Sequence, residues 1–181
     1  GVSDVLDEAR YELEWLLKMQ ASDGGVYHKV TCANFPETVM PEEEVDQLIV
    51  LPVSTTATGD FAAVMAMAYE VYADVDSAFA DTCLAAAKKA ATYLDNNENQ
   101  AFTNPEDVVT GEYPDNFDED ERFWAYAELL KATKDEAYEK AMEGIDLDKV
   151  KYGLGWADVG YYGAYAYLTS GATDSTVEKA V

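Results

Sequence analysis

The chain has 181 residues, of which 49% are apolar and 27% charged, a composition typical of a globular domain rather than a disordered chain. Its formal net charge of −24 argues against nucleic acid and anionic membranes as partners, and fits a neutral ligand, a cation or simple solubility. No apolar run reaches the roughly 20 residues of a membrane span, and residues 1–20 carry charges throughout, unlike a signal peptide.

The first half of the chain contains three predicted helices and no strand pattern of any length. An amphipathic helix is predicted over 3–20, with Ser3 as its N-cap. The segment 55–73 is apolar on nearly all sides, which predicts a helix buried all round, and an amphipathic helix follows over 77–95. Its predicted inward residues are Phe79, Cys83, Leu84, Ala87, Ala91 and Leu94.

The second half repeats this order of buried and amphipathic segments. Helices are predicted over 119–132, 135–143 and 156–169, the last again small and aromatic on all sides. A turn at Ser170-Gly171 ends it, and a final helix is predicted to start near residue 174. The spacing of Cys32 and Cys83 excludes a zinc cluster, and we favour two buried thiols over a disulfide.

Long and short connections alternate between these helices. The long ones are 21–54, 96–118 and 144–155, and antiparallel helices place all of them on one face. This alternation predicts an all-α fold, part of an α/α toroid with about three helical hairpins, and an ordinary helical bundle is the alternative. Half a ring leaves its inner helices, 55–73 and 156–169, uncovered, so we expect the chain to self-associate through exposed apolar surface.

An acidic loop over 115–121 precedes the fourth helix. Hard oxygen ligands at this density suit Ca²⁺, whereas acids at a helix start also cap it and complement its dipole. Asn116, Asp118 and Asp120 have the spacing of the first EF-hand ligands, but the glycine and the glutamate that complete that motif are missing. From spacing alone, metal binding and capping both stay open.

Three aromatic side chains, Tyr27, His28 and Tyr113, fall in the long loops. Sugar rings bind by stacking on aromatic faces, with polar groups fixing their hydroxyls. The alternatives are loop packing for the two tyrosines and a hydrogen-bonded structural role for the histidine. No Gly-rich phosphate loop, HExxH or Gly-x-Ser-x-Gly occurs, so residue chemistry alone predicts only a helical toroid with a polar, aromatic and acidic rim.

Five segments resemble a known family in the same order. They are SDVLDEARYELEWLLKMQ, GGVYHKVT, VSTTATGDFAAVMAMA, GEYPDNFDEDERFWAYAELLKAT and GWADVGYYGAY. Together they resemble the cellulases of glycoside hydrolase family 9, from residue 3 to about residue 168. The resemblance implies an (α/α)6 barrel, secretion to the extracellular space, and hydrolysis of β-1,4-glucan with inversion by two separated carboxyl groups.

The catalytic pair of that family is missing from this sequence. The family's base is an Asp in an Asp-Ala-Gly-Asp motif that precedes the segment matching 3–20, and its acid is a Glu near the end of the catalytic domain. Neither motif occurs here, so residues 1–181 are expected to be the middle portion of a single catalytic domain, inactive alone. The alternative is a non-catalytic helical domain that binds carbohydrate or calcium.

The resemblance also implies a calcium site beside the cleft. Its side-chain ligands match Asp120 and Glu121, further oxygens come from the loop around Asn116, and another carboxylate is Asp158. The implied cofactor is therefore Ca²⁺, held by these four positions.

The resemblance also bears on three aromatic residues and one glycine. The resemblance places Tyr113 at the cleft, whereas Trp124 and Trp156 are expected to pack inside the barrel. Gly59 stands where the family usually has alanine, and a glycine inside a helix costs about 1 kcal/mol.

Overall fold

The computed structural model describes residues 2–172 together with Val177 and Lys179. Within them lie six α-helices: α1 (Asp4–Leu17), α2 (Thr55–Tyr72), α3 (Ser77–Asn96), α4 (Glu119–Thr133), α5 (Glu136–Met142) and α6 (Gly160–Ser170). The predicted start of a last helix near residue 174 falls outside the described residues. No helix in the described part is both long and apolar enough to cross a membrane.

Short polar side chains cap three of the described helices, α2, α3 and α5. The Ser54 hydroxyl accepts from the Ala57 N–H at 3.1 Å, and the Asp76 carboxylate accepts from the Phe79 N–H at the same distance. These bonds satisfy N–H groups that have no partner inside the helix. Ser3 occupies the N-cap of α1 as predicted, but its side chain makes no capping bond.

Three helices form the inner layer of a half ring. α4 packs against α2 on one side and α6 on the other, while α3 covers α2 and α5 covers α4. The hairpins α2–α3 and α4–α5 have short turns, and the long connections meet at the opposite rim. There Val109 N–H donates to the Ala33 carbonyl at 2.9 Å, and Lys29 Nζ donates to the Gly111 carbonyl. The predicted alternation of inner and outer helices is confirmed.

Glycines let the inner helices approach closely. A Cβ on Gly59 of α2 would lie 2.6 Å from the Glu121 Cβ of α4, and a Cβ on Gly163 of α6 would lie 2.6 Å from the Phe123 ring. Gly59 therefore has a packing role that offsets its low helix propensity.

The sixth helix begins later than predicted, at Gly160. Residues 156–159 belong to the preceding loop, where the Gly155 N–H donates to the Asp158 carbonyl at 3.0 Å. The error arose because aromatic and small residues continue through this loop into the helix, so hydrophobic periodicity alone does not mark the boundary.

The expectation of no strands was wrong. β1 (Val26–Tyr27) pairs with β4 (Val53–Ser54), and β2 (Val30–Thr31) pairs with β3 (Ile49–Val50), both antiparallel. Each strand has two residues, too few for an alternating pattern to be visible in sequence. The two pairs form one stem that closes the first long loop.

Part of the inner layer is exposed, as expected for half a ring. Met67 and Val71 of α2 are 40% and 52% exposed, so the prediction that 55–73 is buried all round was wrong on this side. They line an apolar groove of about 460 Å³ between α1 and α2, which Trp124 also borders. Two tyrosines of α6, Tyr161 and Tyr165, are more than half exposed.

Both cysteines are free thiols, as favoured from the sequence, but Cys32 is only partly buried rather than buried as predicted. Cys83 is buried in α3, and burial raises the pKa of its thiol to about 11.

Candidate functional site

Two adjacent carboxylates at the start of α4 are fully buried beneath the rim. Asp120 Oδ2 accepts from the Val159 N–H at 2.9 Å, while Asp120 Oδ1 and both oxygens of Glu121 have no hydrogen-bond partner among the described residues. A buried carboxylate without a partner costs several kcal/mol unless it is protonated or neutralised by a cation. The helix start therefore does more than provide a solvated cap.

Asp60 of α2 and Asp115 of the second long loop complete what we call the acidic cluster: Asp60, Asp115, Asp120 and Glu121. Burial, followed by the charges of Asp120 and Asp115, raises the pKa of Asp60 to about 7. Burial, followed by the charges of Asp60 and Asp120, also raises the pKa of Glu121. Four acids whose charges interact in this way favour binding of protons or of a cation.

The structure assembles only part of the predicted calcium site. Asp120 and Glu121 lie together, but Asn116 is exposed, and Asp158, whose side chain is 53% exposed, has its Oδ1 3.5 Å from Lys151 Nζ. As they stand, no three His, Cys, Asp or Glu side chains in the described part of the chain are arranged to hold a metal ion. The unpartnered oxygens of Asp120 and Glu121 fit a hard cation.

Three members of this region were not identified as site residues from sequence. Asp60 is an acid within an otherwise apolar helix, which is a usable signal, whereas Asp115 was one of several acids in its loop. Lys151 had no signal, because its approach to Asp115 depends on the path of the third long loop.

An exposed aromatic pair stands on the same rim. Tyr113 is 58% and Trp156 60% exposed, and their rings meet edge to face with centroids 5.8 Å apart. Tyr113 has a φ of 54°, a left-handed conformation that is unfavourable for a bulky residue and that the surrounding structure must stabilise. The expectation that Trp156 packs inside the barrel was wrong, whereas Trp124 is buried as expected.

His28 lies next to this pair, and Tyr27 packs against the core. The His28 ring stacks on Phe102 with the two centroids 4.1 Å apart, its Nδ1 is 2.9 Å from Ser54 Oγ, and the ring lies beside the backbone of Glu112 and Tyr113. Burial lowers the pKa of His28, which favours the neutral ring. Tyr27 is half-buried against the main hydrophobic cluster.

Solved structures have the same arrangement over nearly the whole chain. A single mutant of a thermostable endoglucanase from Alicyclobacillus acidocaldarius is 41% identical with a TM-score of 0.89, and the match covers 95% of this chain and 34% of that one. AaCel9A in complex with cellobiose-like isofagomine is 40% identical with a TM-score of 0.92, covering 99% and 35%. These neighbours have (α/α)6 barrels, and the half ring described above is a partial barrel of that kind.

Curated relatives agree with the structural match. Endoglucanase D of Acetivibrio thermocellus is 38% identical over 175 residues, which is 94% of this chain and 28% of the relative. A cellodextrinase of Butyrivibrio fibrisolvens is 36% identical, covering 93% and 34%. The chain thus spans about a third of the length of the proteins it matches. The model of glycosyl hydrolase family 9 matches residues 1–180, and the chain belongs to that family.

Proposed function

We propose that residues 1–181 are the middle portion of the catalytic domain of a secreted enzyme that cleaves β-1,4-glucan with inversion. Family membership supports this proposal, together with the names of the relatives, an endoglucanase and a cellodextrinase. The structural observation that carries it is the exposed pair of Tyr113 and Trp156 on the rim. The catalytic acid and base are expected in other parts of the enzyme, so this chain contributes substrate binding and support.

Tyr113 and Trp156 would form a stacking surface for a glucosyl ring. Two large exposed rings at right angles present apolar faces to solvent, which is the surface that a sugar ring covers. His28 would act mainly by packing beside the backbone of Tyr113, which would support the left-handed backbone conformation of that residue. Tyr27, also predicted to contact substrate, is more buried than Tyr113 because it packs against the main hydrophobic cluster. It would support the stem rather than contact the sugar directly.

Replacing Trp156 by alanine in the complete enzyme should weaken binding of cello-oligosaccharides about tenfold, since an aromatic contact of this kind contributes about 1 kcal/mol or slightly more. Titration calorimetry with an inactivated enzyme measures this loss directly. Tyr11→Ala is the matched control, because Tyr11 is 77% exposed on α1, outside the aromatic pair. Equal affinities for the two variants would contradict the stacking role.

The stereochemistry of the reaction is tested separately. In the active enzyme, an NMR time course that shows retention of the anomeric configuration would contradict inversion.

We propose that Ca²⁺ is the cation of the acidic cluster. Asp120 and Glu121 would supply the first ligands, and Asp158 with the loop oxygens around Asn116 would complete the set. Support comes from the three unpartnered, buried oxygens of Asp120 and Glu121 and from the preference of Ca²⁺ for carboxylate and carbonyl oxygens. The bound ion would neutralise the buried charges and stiffen the rim below the aromatic pair.

Calorimetry with Ca²⁺ tests these ligands. Asp120→Ala and Asp158→Ala should each weaken binding by at least about tenfold, because each removes one charged oxygen ligand. Asp81→Ala, which removes an exposed acid on α3, should leave the affinity nearly unchanged. Unaltered affinity in both ligand variants would rule out the proposed set.

The chain taken alone would self-associate through its exposed apolar surface. The groove between α1 and α2 and the exposed tyrosines of α6 support this proposal, because apolar patches of this kind associate in water.

A further inference from the structure

Lys151 holds a central position beside the acidic cluster. Its ammonium donates to Asp115 Oδ1 at 3.2 Å and to the Ala157 carbonyl at 3.4 Å, and Asp158 Oδ1 lies 3.5 Å away. A lysine ammonium has three N–H donors, so these three oxygens match its capacity. The Phe117 ring lies 5.5 Å from the same nitrogen and adds a weak cation–π contact.

The backbone fixes Lys151 in this position. Its carbonyl accepts from the N–H groups of Gly153 and Gly160, both at 3.0 Å. A Cβ on Gly160 would lie 2.7 Å from that carbonyl oxygen, so the close approach requires glycine at the start of α6. The side chain is 35% exposed, and its ammonium therefore reaches the cluster from the solvent side.

Asp158 is therefore held by an internal cation rather than free for a metal. We infer that Lys151, through its contact with Asp115, is the built-in counter-ion of the acidic cluster and that it competes with calcium for Asp158. It stabilises the rim when calcium is scarce and sets the calcium concentration at which the site fills. This inference rests on the proposed calcium site and adds the residue that determines its affinity.

The competition follows from charge. A unit positive charge a few ångströms from a divalent ion opposes its binding, although solvent and side-chain movement reduce the effect. Asp158 must also leave the ammonium before it can become a ligand. Removing the lysine charge relieves both effects, so the site should then bind calcium more tightly.

The test compares Lys151→Met with Lys149→Met in the complete enzyme. Lys149 lies in the same loop, and its ammonium pairs with Asp146 at 3.1 Å with both side chains exposed, so the control removes the same charge away from the cluster. By calorimetry, Lys151→Met should bind Ca²⁺ at least about tenfold more tightly than the unmodified protein. The affinity of Lys149→Met should match that of the unmodified protein within about twofold. Lys151→Arg keeps the positive charge and should keep the affinity of the unmodified protein.

Thermal unfolding provides the second readout. With a chelator present, Lys151→Met should melt at a lower temperature than Lys149→Met, and saturating Ca²⁺ should reverse that order. A lysine with a purely structural role would lower the melting temperature under both conditions, which would overturn the inference. Equal calcium affinity for Lys151→Met and Lys149→Met would overturn the inference about Lys151 and leave the calcium proposal intact. Absence of calcium binding in all variants would overturn the calcium proposal as well.

Discussion

Asp60→Asn should stabilise the chain at pH 8 in the presence of a chelator, by roughly 2–4 kcal/mol. Burial and neighbouring acids raise the pKa of Asp60 from 3.8 to about 7, so the folded state binds this proton more tightly than the unfolded state. The stabilising contribution is complete below about pH 4 and is lost as the pH rises through 7. Asparagine cannot ionise, and the penalty at high pH disappears.

Urea unfolding between pH 5 and pH 8 measures the effect. The free energy of unfolding should fall with pH in the unmodified chain and fall less in Asp60→Asn. Because a net charge of −24 also destabilises at high pH through repulsion, Asp81→Asn is the control: it removes one exposed acid and tests the general effect alone. Parallel pH curves for Asp60→Asn and the unmodified chain would contradict the prediction.

Gly59→Ala should destabilise the chain by about 1–3 kcal/mol, although alanine favours helix by about 1 kcal/mol. The new Cβ would lie 2.6 Å from the Glu121 Cβ and 2.9 Å from the Glu121 carbonyl carbon. A backbone atom cannot turn aside as a side-chain end can, so α2 and α4 must separate. Denaturant unfolding at a fixed calcium concentration measures the loss.

The matched control is Gly155→Ala. Nothing lies within 4 Å of a Cβ at Gly155, and its φ is not positive, so the free energy of unfolding should change by less than about 0.5 kcal/mol. A stabilising effect of Gly59→Ala would mean that helix propensity outweighs packing between α2 and α4.

The helical half ring could be predicted because its determinants are local. The all-apolar pattern of α2 and the caps beside it need no knowledge of distant residues, and alternating loop lengths then order the layers. Asp120 and Glu121 were identified as ligands through the family resemblance, because the acidic helix start by itself left capping and metal binding both open. The two-residue strands were missed because pairing between residues 26–31 and 49–54 leaves no periodic pattern.

The rest of the candidate site depends on contacts between distant segments. Asp60 joins the acidic cluster only because Gly59 brings α2 against α4, and Lys151 joins it only because its carbonyl is held at the start of α6. Trp156 was assigned to packing because its neighbours continue the apolar pattern of α6. In each case the role of the side chain depends on residues from distant segments that surround it in the fold. The hydrophobic pattern of a single segment gives no information about those neighbours.

The paired stem of residues 26–31 and 49–54 has a consequence for variation. Two further backbone hydrogen bonds connect the two strand pairs of the stem. The Leu51 N–H donates to the Lys29 carbonyl, and the His28 N–H donates to the Pro52 carbonyl, both at 3.0 Å. Residues 34–43 beyond the stem are exposed. The segment 34–43 can therefore change in length or accept inserted sequence while His28 keeps its position at the rim. Changes confined to residues 34–43 should therefore leave the helices below unaltered.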